Sequence, residues 1–301
     1  MTGPNRTVKG FIVRKPLLTY GVLSYAFFWL FLLLFAGVAF GVLRLQPAAM
    51  PAWLMQLVVI GGSWMPAAAA IIVTGVLEGR HGIGNLFRKF GQFRLSGRWY
   101  LAALLPLGLA FVAAAIYGLA GGAVASILSL SLAFWVTLIV SNLLAGPTGE
   151  ETGWRGFALP RLLARHSPLK AGLILGVVWD LWHLPVWILS GYTGVNLLLY
   201  CLFFSIGIIS VSVIMTWIFL RTSNSLVPMA IVHFSVNVGF ALIGTGAAGT
   251  GPALPLTAIV YSLLFLTAIV VWAAGGLTAP TSPRDLSSLG HPGTVLVADV
   301  P

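Results

Sequence analysis

The sequence predicts an all-α membrane protein, a polytopic helical bundle of about eight transmembrane helices. Apolar residues make up 59% of the 301 residues and charged residues only 7%, and the mean hydropathy of +1.01 lies far above that of soluble proteins. Apolar runs of roughly 20 residues, the length that crosses a bilayer, recur along the chain. The net charge of +10 comes from short basic groups between these runs, which indicates loops facing an anionic leaflet and not a nucleic-acid surface.

The apolar runs follow one another as eight spans. We predict them at residues 17–43, 53–77, 99–120, 126–165, 169–189, 195–220, 224–242 and 256–274. Pro66 is expected to kink the second span, and Gly146-Pro147 is expected to bend the fourth, which is too long for a simple crossing. Residues 78–98 have the apolar spacing of a short helix that lies in the membrane interface.

The polar segments predict the domain organisation and the topology. Residues 1–275 are predicted to form one transmembrane domain, and residues 276–301, rich in Pro, Ser and Gly, a disordered tail. Basic residues occupy every second connection between spans, while the alternate connections hold only Arg44. This alternation predicts a multi-pass protein of the cell membrane with both termini in the cytoplasm. The single cysteine, Cys201, excludes an intrachain disulfide.

Ionisable residues inside the apolar runs indicate a functional site. The chain has only six acidic residues, and three of them are Glu150, Glu151 and Asp180. A charge at membrane depth costs roughly 2.5–3.5 kcal/mol, so such residues are candidates for function. His183 and His233 lie in two further apolar runs. The nearest basic residues expected at the cytoplasmic surface are Arg161, Lys170 and Arg221. At the rise of an α-helix, Glu150, His183 and His233 lie about 16, 20 and 18 Å from them, which predicts one intramembrane site.

Helical spacing separates the roles of the two glutamates. Glu151 and Arg155 are four residues apart with the acid first, the favourable order for an ion pair on one face. The pair fits a structural role as well as a catalytic one, so Glu151 stays among the catalytic candidates with Arg155 as its support. Glu150 lies about 100° further around the helix and is expected to point elsewhere. Asp180, three residues before His183, is expected either to orient that ring or to face a wet cavity.

Four side chains are candidates for direct chemistry: Glu150, His183, His233 and Asn237. His233 and Asn237 are four residues apart, so both address one point. The four supply a general base, a second acid or base and two hydrogen-bond donors, which together activate water against an amide and stabilise the oxyanion. A lone intramembrane histidine more often joins two helices, and Trp179 is most simply a packing residue. The coincidence of both histidines with Glu150 favours a functional site.

Three motifs resemble those of the CPBP family, which comprises type II CAAX prenyl endopeptidases and bacteriocin-processing or self-immunity relatives. They are Glu-Glu-x-x-x-Arg at 150–155, aromatic-x-x-x-His at 179–183 and His-x-x-x-Asn at 233–237, within a core at residues 126–245. Trp179 stands where phenylalanine is usual, and Asp180 has no place in the pattern. The resemblance implies a hydrolase, an intramembrane protease of the CAAX type. Carried over by position, the water-activating residues are Glu150 and His183, the oxyanion donors are His233 and Asn237, and the supporting residues are Glu151 and Arg155.

The resemblance leaves metal use open, because the family is described both as metalloproteases and as metal-free glutamate proteases. The sequence lacks a His-Glu-x-x-His zinc helix, and we commit to no cofactor. If zinc is bound, Glu150, His183 and His233 would supply a site with two histidines and one carboxylate. The expected partners are membrane lipid and a membrane-associated protein or peptide substrate, prenylated or not, and no nucleic acid.

Two other function classes remain open from the sequence. One is a self-immunity or binding protein of the membrane that does not turn over a substrate. The other is a proton-coupled transporter, because buried acids and histidines also serve as proton relays. Against a transporter, the polar residues converge on one site and no inverted repeat is visible.

Overall fold

The computed structural model describes residues 4–45, 50–124, 131–188, 192–244 and 253–278. These residues form helices joined by short connections, and none of them lies in a strand, so the predicted all-α fold class is confirmed. The start of the predicted fourth span, at residues 126–130, lies outside the described residues. So does the predicted polar tail after residue 278.

The helices follow one another in this order. The first seven are α1 (Pro4–Arg14), α2 (Pro16–Ala36), α3 (Ala52–Ser63), α4 (Met65–Arg88), α5 (Gly97–Leu119), α6 (Leu132–Leu144) and α7 (Gly146–Glu151). The others are α8 (Leu159–Leu163), α9 (Pro168–Trp182), α10 (Leu184–Ile188), α11 (Gly194–Arg221), α12 (Val227–Gly244) and α13 (Leu254–Ala273). Two π-helical segments cover Gly37–Val42 and Thr152–Ala158, and a 3-10 turn covers Lys89–Gly91.

Six stretches of the described chain are long and apolar enough to cross a membrane. They are Pro16–Val42, Trp53–Gly91, Gly97–Leu119, Leu132–Leu163, Gly194–Arg221 and Leu254–Ala273. The predicted fifth and seventh spans correspond to shorter helices, α9 with 15 residues and α12 with 18. These two helices bring His183 and His233 to the site. A membrane bundle of roughly eight helices therefore fits the structure.

Two of the membrane-crossing stretches are interrupted by a bend, and the two bends pack against each other. The second stretch changes direction at Trp64, just before Pro66, and the fourth at Ala145, where ψ is −130°, just before Pro147. Both bends lie where the prolines predict them, because proline lacks the N–H that continues the helical ladder. A Cβ atom at residue 149 would lie 2.5 Å from Ser63 O, so glycine is needed for α7 to pack against the first break.

An aromatic cluster packs the π segment Thr152–Ala158 against its neighbours. The Tyr20 ring of α2 lies edge-on to Trp154 at 5.5 Å and against Phe157 at 4.9 Å, measured between ring centroids. Phe28 of α2 stacks on Trp182 of α9 at 4.0 Å. All five rings are buried, so the segment that follows the two glutamates is enclosed by α2 and α9.

The predicted interfacial helix is the last part of α4. Gly79 has φ of 65°, a conformation that favours glycine, and it turns the helix as the acidic and basic residues begin. Beyond the turn Leu86 is buried, whereas Arg80, Phe87 and Arg88 are exposed. The segment after Gly79 therefore has an inner and an outer face, and the non-helical backbone of Gly79 separates it from the second span.

Candidate active site

The two glutamates lie at the end of a broken helix. Glu150 and Glu151 are the last residues of α7, and the π segment Thr152–Ala158 follows directly. Glu150 is 5% exposed and Glu151 fully buried. Pro160 contributes to the irregular geometry, because it has no N–H to complete an α-helical bond with the carbonyl of Gly156. Single π turns of this kind occur often at functional sites.

The predicted ion pair between Glu151 and Arg155 is present. Arg155 Nη1 donates to Glu151 Oε1 at 3.1 Å, and both side chains are fully buried. The same carboxylate oxygen lies 2.7 Å from His233 Nδ1. Because a carboxylate accepts hydrogen bonds, Nδ1 carries the proton in this contact. Glu151 therefore orients a histidine of α12 besides pairing with the arginine, which the spacing along the chain did not reveal.

Glu150 points away from Arg155, as the helical geometry predicts. Its Oε2 atom accepts the indole N–H of Trp179 at 2.7 Å. Its Oε1 atom lies 4.0 Å from His233 Nε2. His233 thus lies between the two glutamates, with Nδ1 bound to Glu151 and Nε2 directed toward Glu150. A Cβ atom at residue 146 would overlap the His233 ring, so glycine at that position makes room for the histidine.

His183 is held by the helix that precedes it. It is the C-terminal cap residue of α9, and its Nδ1 atom donates to Trp179 O at 2.8 Å. The carbonyl occupies Nδ1, so Nε2 is the atom left to accept a proton. The half-buried ring lies edge-on to Trp182 at 5.1 Å and to Phe204 of α11 at 5.3 Å. These contacts fix the orientation of the imidazole without a carboxylate.

One cavity of about 670 Å³ joins the four residues proposed for direct chemistry. Its lining includes Glu150 of α7, His183 after α9, and His233 and Asn237 of α12. Asn237 is half-buried and lies one turn beyond His233. The predicted supporting residues are not among the described residues that line the cavity: Glu151, Arg155 and Asp180.

Asp180 is buried on the side of α9 that packs against α11. Its side chain is 5% exposed and hydrogen-bonded to Ser205, while its Oδ1 atom has no partner among the described residues. Trp179 O, and not Asp180, holds His183 Nδ1. Asp180 therefore does not orient His183 directly, which was one of the two roles expected from the sequence.

Trp179 is the residue of this site that sequence reasoning underrated. Besides its bond to Glu150, its ring lies 4.2 Å from the Arg155 guanidinium carbon, a cation–π contact. The same ring is edge-on to His233 at 5.3 Å and to His183 at 5.7 Å. The sequence did show that tryptophan stands at position 179, where the CPBP motif usually has phenylalanine. Of these two side chains, tryptophan alone has an N–H donor.

The residues named for a zinc ion do not form a three-ligand cluster. Among the described residues, no three His, Cys, Asp or Glu side chains are arranged to hold a metal ion. Glu150 Oε2 is bonded to Trp179, and the Nδ1 atoms of His183 and His233 are bonded to protein acceptors. These bonds leave Glu150 Oε1 and the Nε2 atoms of the two histidines available at the site.

Fold and site together define a polytopic α-helical membrane protein with a buried glutamate–histidine site. Residues 132–239 match the family model of type II CAAX prenyl endopeptidases, described as Rce1-like. The matched range contains all three motifs on which the resemblance to the CPBP family rests.

A curated relative matches the same kind of protein. A CAAX prenyl protease 2 from Methanococcus maripaludis is 33% identical over 105 residues, which are 34% of this chain. The aligned region spans 39% of that relative's length. The similarity therefore supports a domain of this class and not the properties of the whole relative.

Proposed function

We propose that the protein is an intramembrane endopeptidase that hydrolyses a peptide bond with water activated by Glu150 and His183. The observation that carries this proposal is the single cavity, inside a membrane bundle, with an acid, two histidines and an amide on its wall. The family match over residues 132–239 and the protease relative support a hydrolase. The same convergence argues against a transporter, whose ionisable residues would line a path.

The hydrogen bonds around Glu150 and His183 suit proton transfer. The Trp179 N–H occupies Glu150 Oε2, which leaves Oε1 to accept a proton from water. His183 Nε2 is likewise left to accept, because Nδ1 is bonded to Trp179 O. Water between these groups would lose a proton as it attacks the carbonyl carbon, and Glu150 would return that proton to the leaving amine.

His233 and Asn237 are the proposed donors to the oxyanion. Asn237 offers its side-chain N–H groups, and His233 offers Nε2 when that atom carries a proton. The bond from His233 Nδ1 to Glu151 fixes the ring so that Nε2 faces Glu150 and the cavity. Glu151 and Arg155 act as supporting residues, because they hold this ring from outside the cavity.

The proposed substrate is a protein or peptide that reaches the site from the membrane. Apolar side chains cover most of the remaining cavity wall, including Phe28, Leu32, Val59, Phe204 and Tyr261. The relative's name, CAAX prenyl protease 2, makes a prenylated C-terminal segment the first substrate to test.

Cleavage by the purified protein in proteoliposomes tests the function. The probes are two quenched fluorescent peptides that end in Cys-aliphatic-aliphatic-X, one farnesylated at the cysteine and one not. We expect cleavage by the wild-type protein and none by a Glu150→Ala variant. If neither peptide is cleaved, membranes of cells with either protein are compared by mass spectrometry. The absence of any product that depends on Glu150 would contradict an enzyme and favour a binding protein.

Activity is expected to survive exhaustive chelation. The reason is that the proposed water activation uses Glu150 and His183, and that no three His, Cys, Asp or Glu side chains among the described residues are arranged to hold a metal ion. The measurement is the cleavage rate after treatment with chelator, together with metal analysis of the active protein. Loss of activity that zinc restores, with about one metal ion per chain, would show that a metal takes part.

Both termini are expected to face the cytoplasm. The chain crosses the membrane as a multi-pass bundle, and an even number of spans returns the C-terminus to the side of the basic N-terminus. The test replaces Cys201 with serine and adds a cysteine at position 4 or position 290. A membrane-impermeant maleimide should label neither cysteine in intact cells and both after lysis. Labelling of either one in intact cells would overturn this topology.

A further inference from the structure

The π segment contains a carbonyl, Gly156 O, that has no α-helical donor. In an α-helix the carbonyl of Gly156 would accept the N–H of residue 160, which is proline. Lys89 supplies a donor instead, because its Nζ atom lies 2.9 Å from Gly156 O. The Lys89 side chain is partly buried, so this charge-assisted hydrogen bond is shielded from water.

A second cation at the same place has a weaker effect. Arg161 Nη1 donates to Phe157 O at 3.0 Å, and its Nη2 atom pairs with Glu78 at 2.7 Å. The side chains of this ion pair are 26% and 47% exposed, and exposed pairs contribute little to stability. The shielded bond from Lys89 is therefore the stronger of the two attachments between α4 and the π segment.

The backbone of the same lysine is bound to the start of α12. Lys89 O accepts the N–H of Leu226 at 3.1 Å, and Ser225 Oγ donates to Gln92 O at 3.0 Å. Leu226 directly precedes α12, the helix that carries His233. One residue thus attaches two of the three elements that bear the motifs, the π segment through its side chain and α12 through its main chain.

These bonds close a ring of contacts through the site. The ring passes from Lys89 to Gly156, Arg155, Glu151 and His233, and returns along α12 through Leu226 to Lys89. We infer that Lys89 is a positioning residue, which acts through this ring to fix Glu150 and Glu151 relative to His233. The inference rests on the proposed function, because its effect on rate requires that these groups perform the reaction. A misplacement of about 1 Å in such groups can lower a rate by about 100-fold.

Lys89→Met tests the inference, with Arg88→Met as the matched control. Methionine keeps the apolar stem and removes the donor. Arg88, by contrast, is exposed, and within the described part of the chain its side chain bonds to Asn85 of the same helix turn. We expect kcat for the farnesylated peptide to fall by about 10-fold or more in Lys89→Met, with KM within about 2-fold of wild type. Hydrogen exchange should become faster at residues 150–158 and 226–233. Arg88→Met should leave kcat, KM and exchange at the wild-type level.

Wild-type kcat in Lys89→Met, or unchanged exchange in both segments, would overturn the inference. If Lys89→Met does not accumulate in folded form, the inference is tested by comparing kcat of Lys89→Arg and Lys89→Gln. Arginine keeps a charged donor and should retain more kcat than glutamine, and equal kcat in the two variants would contradict the positioning role. If wild type cleaves neither peptide and gives no product that depends on Glu150, the proposed function fails, while the exchange measurement still decides whether Lys89 joins the two segments.

Discussion

Glu150→Gln is expected to abolish turnover and to leave the folded protein about as stable as wild type. The amide keeps the shape of the side chain and can still accept the Trp179 N–H through its carbonyl oxygen. It cannot take a proton from water, and loss of a general base alone typically lowers a rate by about 10²–10⁴-fold. The measurements are the initial cleavage rate in proteoliposomes and the thermal unfolding midpoint in detergent.

Glu78→Gln is the matched control for this change. Glu78 is an exposed glutamate whose ion pair with Arg161 lies away from the cavity, so its conversion should leave kcat unchanged. The roles of the two neighbouring glutamates are reversed if Glu150→Gln remains active while Glu151→Gln folds normally and is inactive. Glu151 would then be the residue that activates water.

Glu151→Gln is expected to destabilise the protein by about 3–5 kcal/mol, because it leaves a fully buried arginine without its counter-ion. Arg155 Nε and Nη2 have no hydrogen-bond partner among the described residues, so the contact from Nη1 to Glu151 is the ion pair that compensates its burial. Activity should also fall, since Glu151 fixes His233 through Nδ1. The free energy of unfolding is measured by denaturant titration in mixed micelles.

A double-mutant cycle separates this coupling from general damage. Arg155→Ala should destabilise the protein as Glu151→Gln does, and the double variant should lose less than the sum, because each change removes the same contact. The exposed pair of Glu78 and Arg161 is the matched control, where neutralising one partner should cost roughly 0–1 kcal/mol. Additive losses at Glu151 and Arg155 would show that the buried contact is not coupled.

Helical periodicity explains which parts of the site could be predicted. The pairing of Glu151 with Arg155 and the opposite direction of Glu150 depend on residues within one turn, where spacing determines the face. The broken spans were also predictable, since Pro66 and Pro147 remove a helical N–H wherever they occur.

Contacts between distant residues could not be predicted in this way. The bond from His233 to Glu151 joins residues 82 apart in sequence, and the bond from Trp179 to Glu150 joins residues 29 apart. The depth estimates placed Glu150, His183 and His233 at one level of the membrane. They did not give the direction in which each side chain points about its helix axis. The π segment was missed as well, and one of its carbonyls, Gly156 O, is bound by Lys89, which lies 67 residues earlier.

The break between α6 and α7 has a consequence for how the protein moves. Pro147 leaves the carbonyl of Leu143 without its helical donor, and Thr148 Oγ1 donates to it at 2.9 Å. The carbonyl of Leu144 accepts the indole N–H of Trp64 at 2.7 Å, from the other broken helix. In a bilayer no water competes for such groups, so opening this joint would leave both carbonyls bare at a cost of several kcal/mol each. The bend beside Glu150 is therefore expected to be a rigid corner and not a hinge, so that a peptide substrate of the proposed protease would enter by displacement of whole helices around a fixed centre.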